Sequence, residues 1–135
     1  MPKVKKLKID DFNPFRAIGL VANTPNYRTA FFIGQCLDIS FRFIENRMEL
    51  NLKKNVCQVD VLEADYSFSK LILISNLQTI GYVNSLYKNI SNLLLVYNED
   101  KHEDIEQIIK TISKIKQFQF LQIINDPTNI TINAK

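Results

Sequence analysis

The 135-residue chain has one histidine, two cysteines, three glycines and no tryptophan. A lone His102 cannot supply a multi-histidine metal set, and Cys36 and Cys57 stand apart instead of forming a CxxC pair. A typical zinc site is therefore excluded, because zinc needs several His, Cys or carboxylate ligands at set spacing, while an all-carboxylate site stays open. Three glycines leave no glycine-rich phosphate cradle, and GxGxxG, P-loop, HExxH and GxSxG motifs are all missing. No apolar run approaches a membrane span, and no apolar h-region follows the first lysines. The expectation is a cytoplasmic protein with reduced thiols, no membrane contact and no cofactor. On that expectation the triplets Asn89-Ile90-Ser91 and Asn129-Ile130-Thr131 are chance matches to a glycosylation acceptor.

What is present is ordinary in amount. The sequence is 46% hydrophobic and 23% charged, with a net charge of +3. A chain of this length buries roughly two-thirds of its unfolded surface, enough for one core without disulfides or metal. One α+β domain over residues 1–125 is expected, followed by a tail over 126–135. Lys3, Lys5, Lys6 and Lys8 crowd the N-terminus. They read as the solvated side of an edge strand with Val4, Leu7 and Ile9 on its other side. RNA binding through them is the alternative, although no arginine or aromatic residue is interleaved to stack on bases. Abundant lysine, asparagine and isoleucine suit an AT-rich bacterial genome.

Periodicity assigns the elements. Phe15–Ala22 is a short apolar strand. A helix then enters through Thr24 as N-cap and Pro25 as first helical residue. Tyr27, Ala30, Phe31, Gly34 and Leu37 form its core stripe, widened by Phe32 and Ile33. Phe41–Phe43, Met48–Leu52 and Cys57–Val61 alternate apolar and polar residues. They read as a central antiparallel meander, with hairpin connectors at Glu45-Asn46-Arg47 and Lys53-Lys54-Asn55. Ser69–Ser75 and Asn92–Asn98 are buried strands, and Gly81 marks a turn between them. The clearest helix carries Ile105, Ile108, Ile109, Ile112 and Ile115 on one face, with Asp100 and Glu103 at capping-box spacing. The strand 117–124 closes the domain. Its short link through the helix predicts a parallel, right-handed β-α-β unit with 92–98. The whole is a mixed, mostly antiparallel sheet with two helices packed on one face.

Candidate chemistry is sparse. His102 falls in a polar first turn, where a solvated role is the simpler account. Cys36 and Cys57 have no adjacent base and read as small core residues. The acid pairs Asp10-Asp11, Glu99-Asp100 and Glu103-Asp104 fit turns and helix starts. Phe41, Phe43, Tyr66, Phe68, Phe118 and Phe120 lie on or beside strands, as stacking platforms do. Aromatics at that period face a core more often, and the RNA-binding run of glycine, basic and aromatic residues is missing. The pointed feature is Asn26, Tyr27 and Arg28 at a helix start. That position suits a small anion or a partner contact; equally, Arg28 can pair with Asp38 or Glu45 and lay its stem on Phe32.

The series "FRAIGLVANTPNYRTAFFIGQCLDISF", the meander, the "LISN" strand and "GYVNSLYKNISNLLLVYNE" together resemble the IPExxVD family of small, uncharacterised Bacteroidetes proteins. Ile18-Gly19, Tyr27-Arg28-Thr29-Ala30 and Leu93–Tyr97 carry the similarity. At the eponymous motif, Ser85–Ser91, only Ile90 is a near match. Membership implies a cytoplasmic bacterial protein with no activity to transfer, and suggests that Tyr27 and Arg28 help seat a helix on a sheet. Taken together, the expected function is a non-enzymatic protein-interaction or scaffold domain. Its partner is a protein, and a homodimer is one form of that.

Overall fold

The computed structural model describes residues 15–22, 24–52, 55–66, 69–78, 80–83, 89–97, 105–124 and 130–132. Strand β1 (Phe15–Ala22) leads to helix α1 (Asn26–Leu37), then to β2 (Arg42–Leu52), β3 (Asn55–Tyr66) and β4 (Ser69–Ser75). Two short strands, β5 (Leu77–Gln78) and β6 (Gly81–Tyr82), form a separate hairpin. After them come β7 (Asn92–Tyr97), helix α2 (Ile105–Ile112), β8 (Phe118–Ile124) and β9 (Ile130–Ile132). The main sheet has seven strands in the order β8-β1-β7-β4-β3-β2-β9. The α+β class and the predominantly antiparallel sheet match the sequence pattern.

Four details differ from it. First, every ladder among the described strands is antiparallel, because β1 inserts between β7 and β8 and pairs with both. The β7 and β8 directions are parallel as anticipated, but the crossover through α2 skips one strand. Second, Glu45-Asn46-Arg47 is a bulge and not a hairpin. Ile44 faces Val61 and Met48 faces Val59, so three residues of β2 oppose one of β3. Asn46 takes φ 51°, and its backbone N–H donates to Asp60 Oδ1 at 2.8 Å. The chain bends locally and resumes the same ladder, which is what a bulge does. Third, Ile130–Ile132, placed by the sequence in a tail, forms β9 against Met48–Leu50. Fourth, α1 starts one residue late. Pro25, at ψ 163°, is still extended and serves as the N-cap, its carbonyl accepting from Arg28 and Thr29 N–H at 3.0 Å. Thr24 instead pairs its hydroxyl with that of Thr29 at 2.9 Å.

Both sheet faces are buried. On one, Ile18, Leu20, Leu71, Leu73, Leu94 and Val96 pack beneath Ala30, Ile33 and Leu37 of α1 and Ile105, Ile108 and Ile112 of α2. On the other, Ala17, Met48, Leu50, Val59, Val61, Ile72, Ile74, Leu93 and Leu95 form a second cluster with Val83 and Ile90. Curvature accounts for part of that second burial. In a flat sheet the six spacings from β8 to β9, each about 4.8 Å, would hold the edges about 29 Å apart. The six residue steps from Ile124 to Ile130 reach at most about 22 Å. The sheet is therefore curled, and the second cluster occupies its hollow. The N-terminal strand expected with Lys3, Lys5, Lys6 and Lys8 and the capping-box residues Asp100 and Glu103 lie outside the described residues.

Candidate functional site

The helix start comes first. Asn26 is not open to solvent chemistry alone: its Oδ1 accepts from Nδ2 of Asn92, a buried residue at the head of β7. Ser91 completes the junction. Its hydroxyl accepts from Ala22 N–H at 2.9 Å and lies 2.8 Å from Asn92 Oδ1 and 3.1 Å from Leu20 O. The Ser91 N–H also donates to Leu20 O at 2.9 Å. Asn26, Ser91 and Asn92 thus tie α1 to the end of β1 and β7. Thr29, fully buried, adds contacts to Pro25 O and Thr24. The seat of the helix is made by Asn26 and Thr29, whereas Tyr27 and Arg28 face outward.

Arg28 holds its guanidinium over the Phe32 ring at 5.7 Å from the centroid, one helical turn on. Among the described residues no carboxylate lies within ion-pair distance of it, so the alternative pairing with Asp38 or Glu45 is not made. Such a cation–π contact contributes about 0.5–1 kcal/mol at an exposed position.

Tyr27 is 67% exposed and Phe31 57%, which corrects their expected place in the core stripe. The buried face of α1 is Thr29, Ala30, Ile33, Gly34 and Leu37, rotated away from them. The reason lies in how the helices cover the sheet. Two helices of about 10 Å diameter span roughly 20 Å, less than the width of seven strands. Cys36 Sγ donates to Thr111 O at 3.3 Å, so one flank of α1 meets α2. Among the described residues, no further helix covers the sheet at β2 and β3 on the opposite flank.

There, Tyr27, Ala30, Phe31, Gly34 and Gln35 form one wall of an open groove of about 470 Å³, and Ile39, Ser40, Phe41 and Leu62 form the other. Gly34 makes the close approach possible. A Cβ at this position would lie 2.7 Å from Ile39 O. Asp38 takes the left-handed conformation, and Ile39 N–H returns to Gly34 O at 3.0 Å, the six-to-one bond of a Schellman stop. Phe43, cross-strand from Leu62 and so on the same face, is 64% exposed beyond the groove.

A charged row on the hollow face was not anticipated. Glu63 is 1% exposed; Arg47 Nε reaches its Oε1 at 3.0 Å and Lys70 Nζ its Oε2 at 3.7 Å. Lys70 also holds Asp65 at 2.8 Å. That hydrogen bond and charge, with a smaller contribution from Arg42, keep the Asp65 carboxyl below its ordinary value despite some desolvation. The signal available was Glu63-Ala64-Asp65 at strand period, but the expected strand ended at Val61. The bulge at 45–47 is what brings Arg47 to Glu63. Each charge is met by an opposite one, and the arrangement stabilises the sheet only as a set, because losing Arg47 would leave Glu63 buried and underpaired.

Of the other candidates, Cys57 sits half-buried opposite Leu50, against the hollow cluster. Phe41 and Tyr66 pack against the helix-face cluster and Phe118 within it, so they offer no open stacking platform. His102, the four N-terminal lysines, Phe68 and the acids at 10–11, 99–100 and 103–104 lie outside the described residues. Among the described residues no three His, Cys, Asp or Glu side chains gather where a metal ion would need them, and no helix is long and apolar enough to cross a membrane. No family model, curated protein or solved structure matches this chain.

Proposed function

We propose that the chain is a non-enzymatic protein-interaction domain whose contact face is the groove between α1 and the β2–β3 strands. One observation carries this reading. Five large apolar side chains are exposed among the described residues; two of them, Tyr27 and Phe31, line this groove, and a third, Phe43, stands beyond it on the same sheet face. Clustered exposed aromatics cost solvation unless a partner covers them, and aromatic anchors around an apolar trough are the usual makings of an interface. The convergent polar groups support the same reading, since Asn26, Ser91 and Asn92, and likewise Arg47, Glu63 and Lys70, satisfy one another. On the same footing we read the chain as cytoplasmic and as a divergent IPExxVD member.

The test is co-purification from the native cell with the wild type and with a Tyr27→Ala, Phe31→Ala double variant. A protein retained by the first and lost by the second, at unchanged melting temperature, supports the groove. Identical retention by both removes it.

A further inference from the structure

The groove ends at a strand edge with a property of its own. Arg42, Phe43 and Ile44 pair with β3 on one side, while on the other side β9 pairs only with Met48–Leu50. The run 41–45 therefore has no ladder partner on its outer side among the described residues. It is bounded at one end by the bulge at Asn46 and at the other by the turn after Asp38. Phe43 stands at its centre. An open edge presents unpaired N–H and C=O groups, whose natural complement is another extended strand.

Building on the interaction reading, we propose that the occupant of this edge is a second copy of the chain, with β2 pairing antiparallel to β2 about a two-fold axis at Phe43. An antiparallel edge is self-complementary under a two-fold axis normal to the sheet, so one surface serves both partners. Only registers that keep faces matched are allowed, and like charge argues against one of them. Centring on Arg42 would set two guanidinium groups opposite each other, which is unfavourable. Centring on Phe43 sets Arg42 opposite Ile44 and Phe43 opposite its copy. Phe41 then lies diagonal to the partner's Phe43, so four phenyl rings form a strip on the helix-bearing face. That strip covers the one large apolar side chain of this strand that the monomer leaves exposed. The antiparallel β4-β3-β2 ladder continues across the axis without a change of pattern.

Sedimentation of the full chain over a range of concentrations tests the pairing, together with two variants. The wild type is expected to dimerise. Phe43→Lys should raise the dimer dissociation constant at least roughly tenfold, about 1.4 kcal/mol, with an unchanged circular dichroism spectrum. Phe43→Cys, treated with oxidised glutathione as the electron acceptor, should give a disulfide-linked dimer whose cross-linked peptide joins position 43 to position 43. Val56→Cys, also exposed (55%) but on the neighbouring strand β3, should not cross-link. The cross-link decides the matter if the lysine variant fails to fold. A chain monomeric at several hundred micromolar overturns the proposal, as does a dimer that ignores Phe43→Lys or links as readily through position 56. A monomer that still captures a groove-dependent partner removes the second copy alone. A Phe43-dependent dimer whose captured proteins are indifferent to Tyr27 and Phe31 removes the groove reading alone.

Discussion

The two helices lie on the same sheet face and solve different problems. Helix α2 buries Ile105, Ile108 and Ile112 and turns Glu106, Gln107 and Lys110 to solvent. Helix α1 buries a face of small and mid-sized residues, Thr29, Ala30, Ile33, Gly34 and Leu37, and leaves Tyr27 and Phe31 outside. In α2 the large side chains face the sheet, which is the arrangement a stabilising helix needs. In α1 the small residues allow close approach to the Ile39 turn, and two large rings are left over. The difference teaches that hydrophobicity in this molecule is divided between holding the fold and meeting something else.

The largest test of that division is Ile108→Ala. Ile108 is fully buried among residues of both the sheet and α1. Removing its outer carbons should cost about 4 kcal/mol in denaturant unfolding, the upper part of the range for a cavity-forming core change. A loss under about 1 kcal/mol would mean that α2 does not hold the sheet, and the contrast between the helices would collapse.

Gly34→Ala comes next. The new Cβ would meet the Ile39 carbonyl oxygen at 2.7 Å, and that atom is backbone and cannot swing away. The Schellman stop must open or the turn at 38–40 must shift, at an expected cost of about 2 kcal/mol. The same shift moves Ile39 and Phe41, the far wall of the groove. Stability and groove-dependent binding should therefore fall together in this variant, measured by thermal unfolding and by partner retention. Unchanged unfolding would show that the close packing of α1 on this turn is not tight enough to fix the groove.

The sequence was informative where the physics is local. Helix α2 follows from isoleucine spacing alone, and β4 and β7 from short apolar runs bounded by polar residues. It was silent where the outcome depends on distant pairing. Glu45-Asn46-Arg47 has turn composition, and Asn46 does adopt a turn-like backbone, yet the ladder to β3 on both sides makes it a bulge. Nothing local says that β1 will insert between β7 and β8, or that three residues at 130–132 will find β2. The site failed to read for a related reason. In "YRTAFFIG" almost every position is apolar or small, so periodicity cannot choose which sector meets the sheet. The choice is made by Thr29 and Asn26, through hydrogen bonds to residues as far away as Asn92.

The smallest expected effect is the most telling for α1. Phe31 and Ile33 are two residues apart on one helix, the first 57% exposed and the second fully buried. Phe31 touches the Phe32 ring edge-on, with centroids 6.0 Å apart, a contact worth a fraction of a core ring's burial. Phe31→Ala should therefore change unfolding free energy by no more than about 0.5 kcal/mol, as exposed substitutions do. Ile33→Ala should cost several times that by the same measurement. If Phe31→Ala proves as costly as Ile33→Ala, its ring is part of the core in solution and α1 resembles α2 after all. If it is neutral for folding while a groove partner is lost, the large ring is present for contact, and the two helices differ in purpose as well as in pattern.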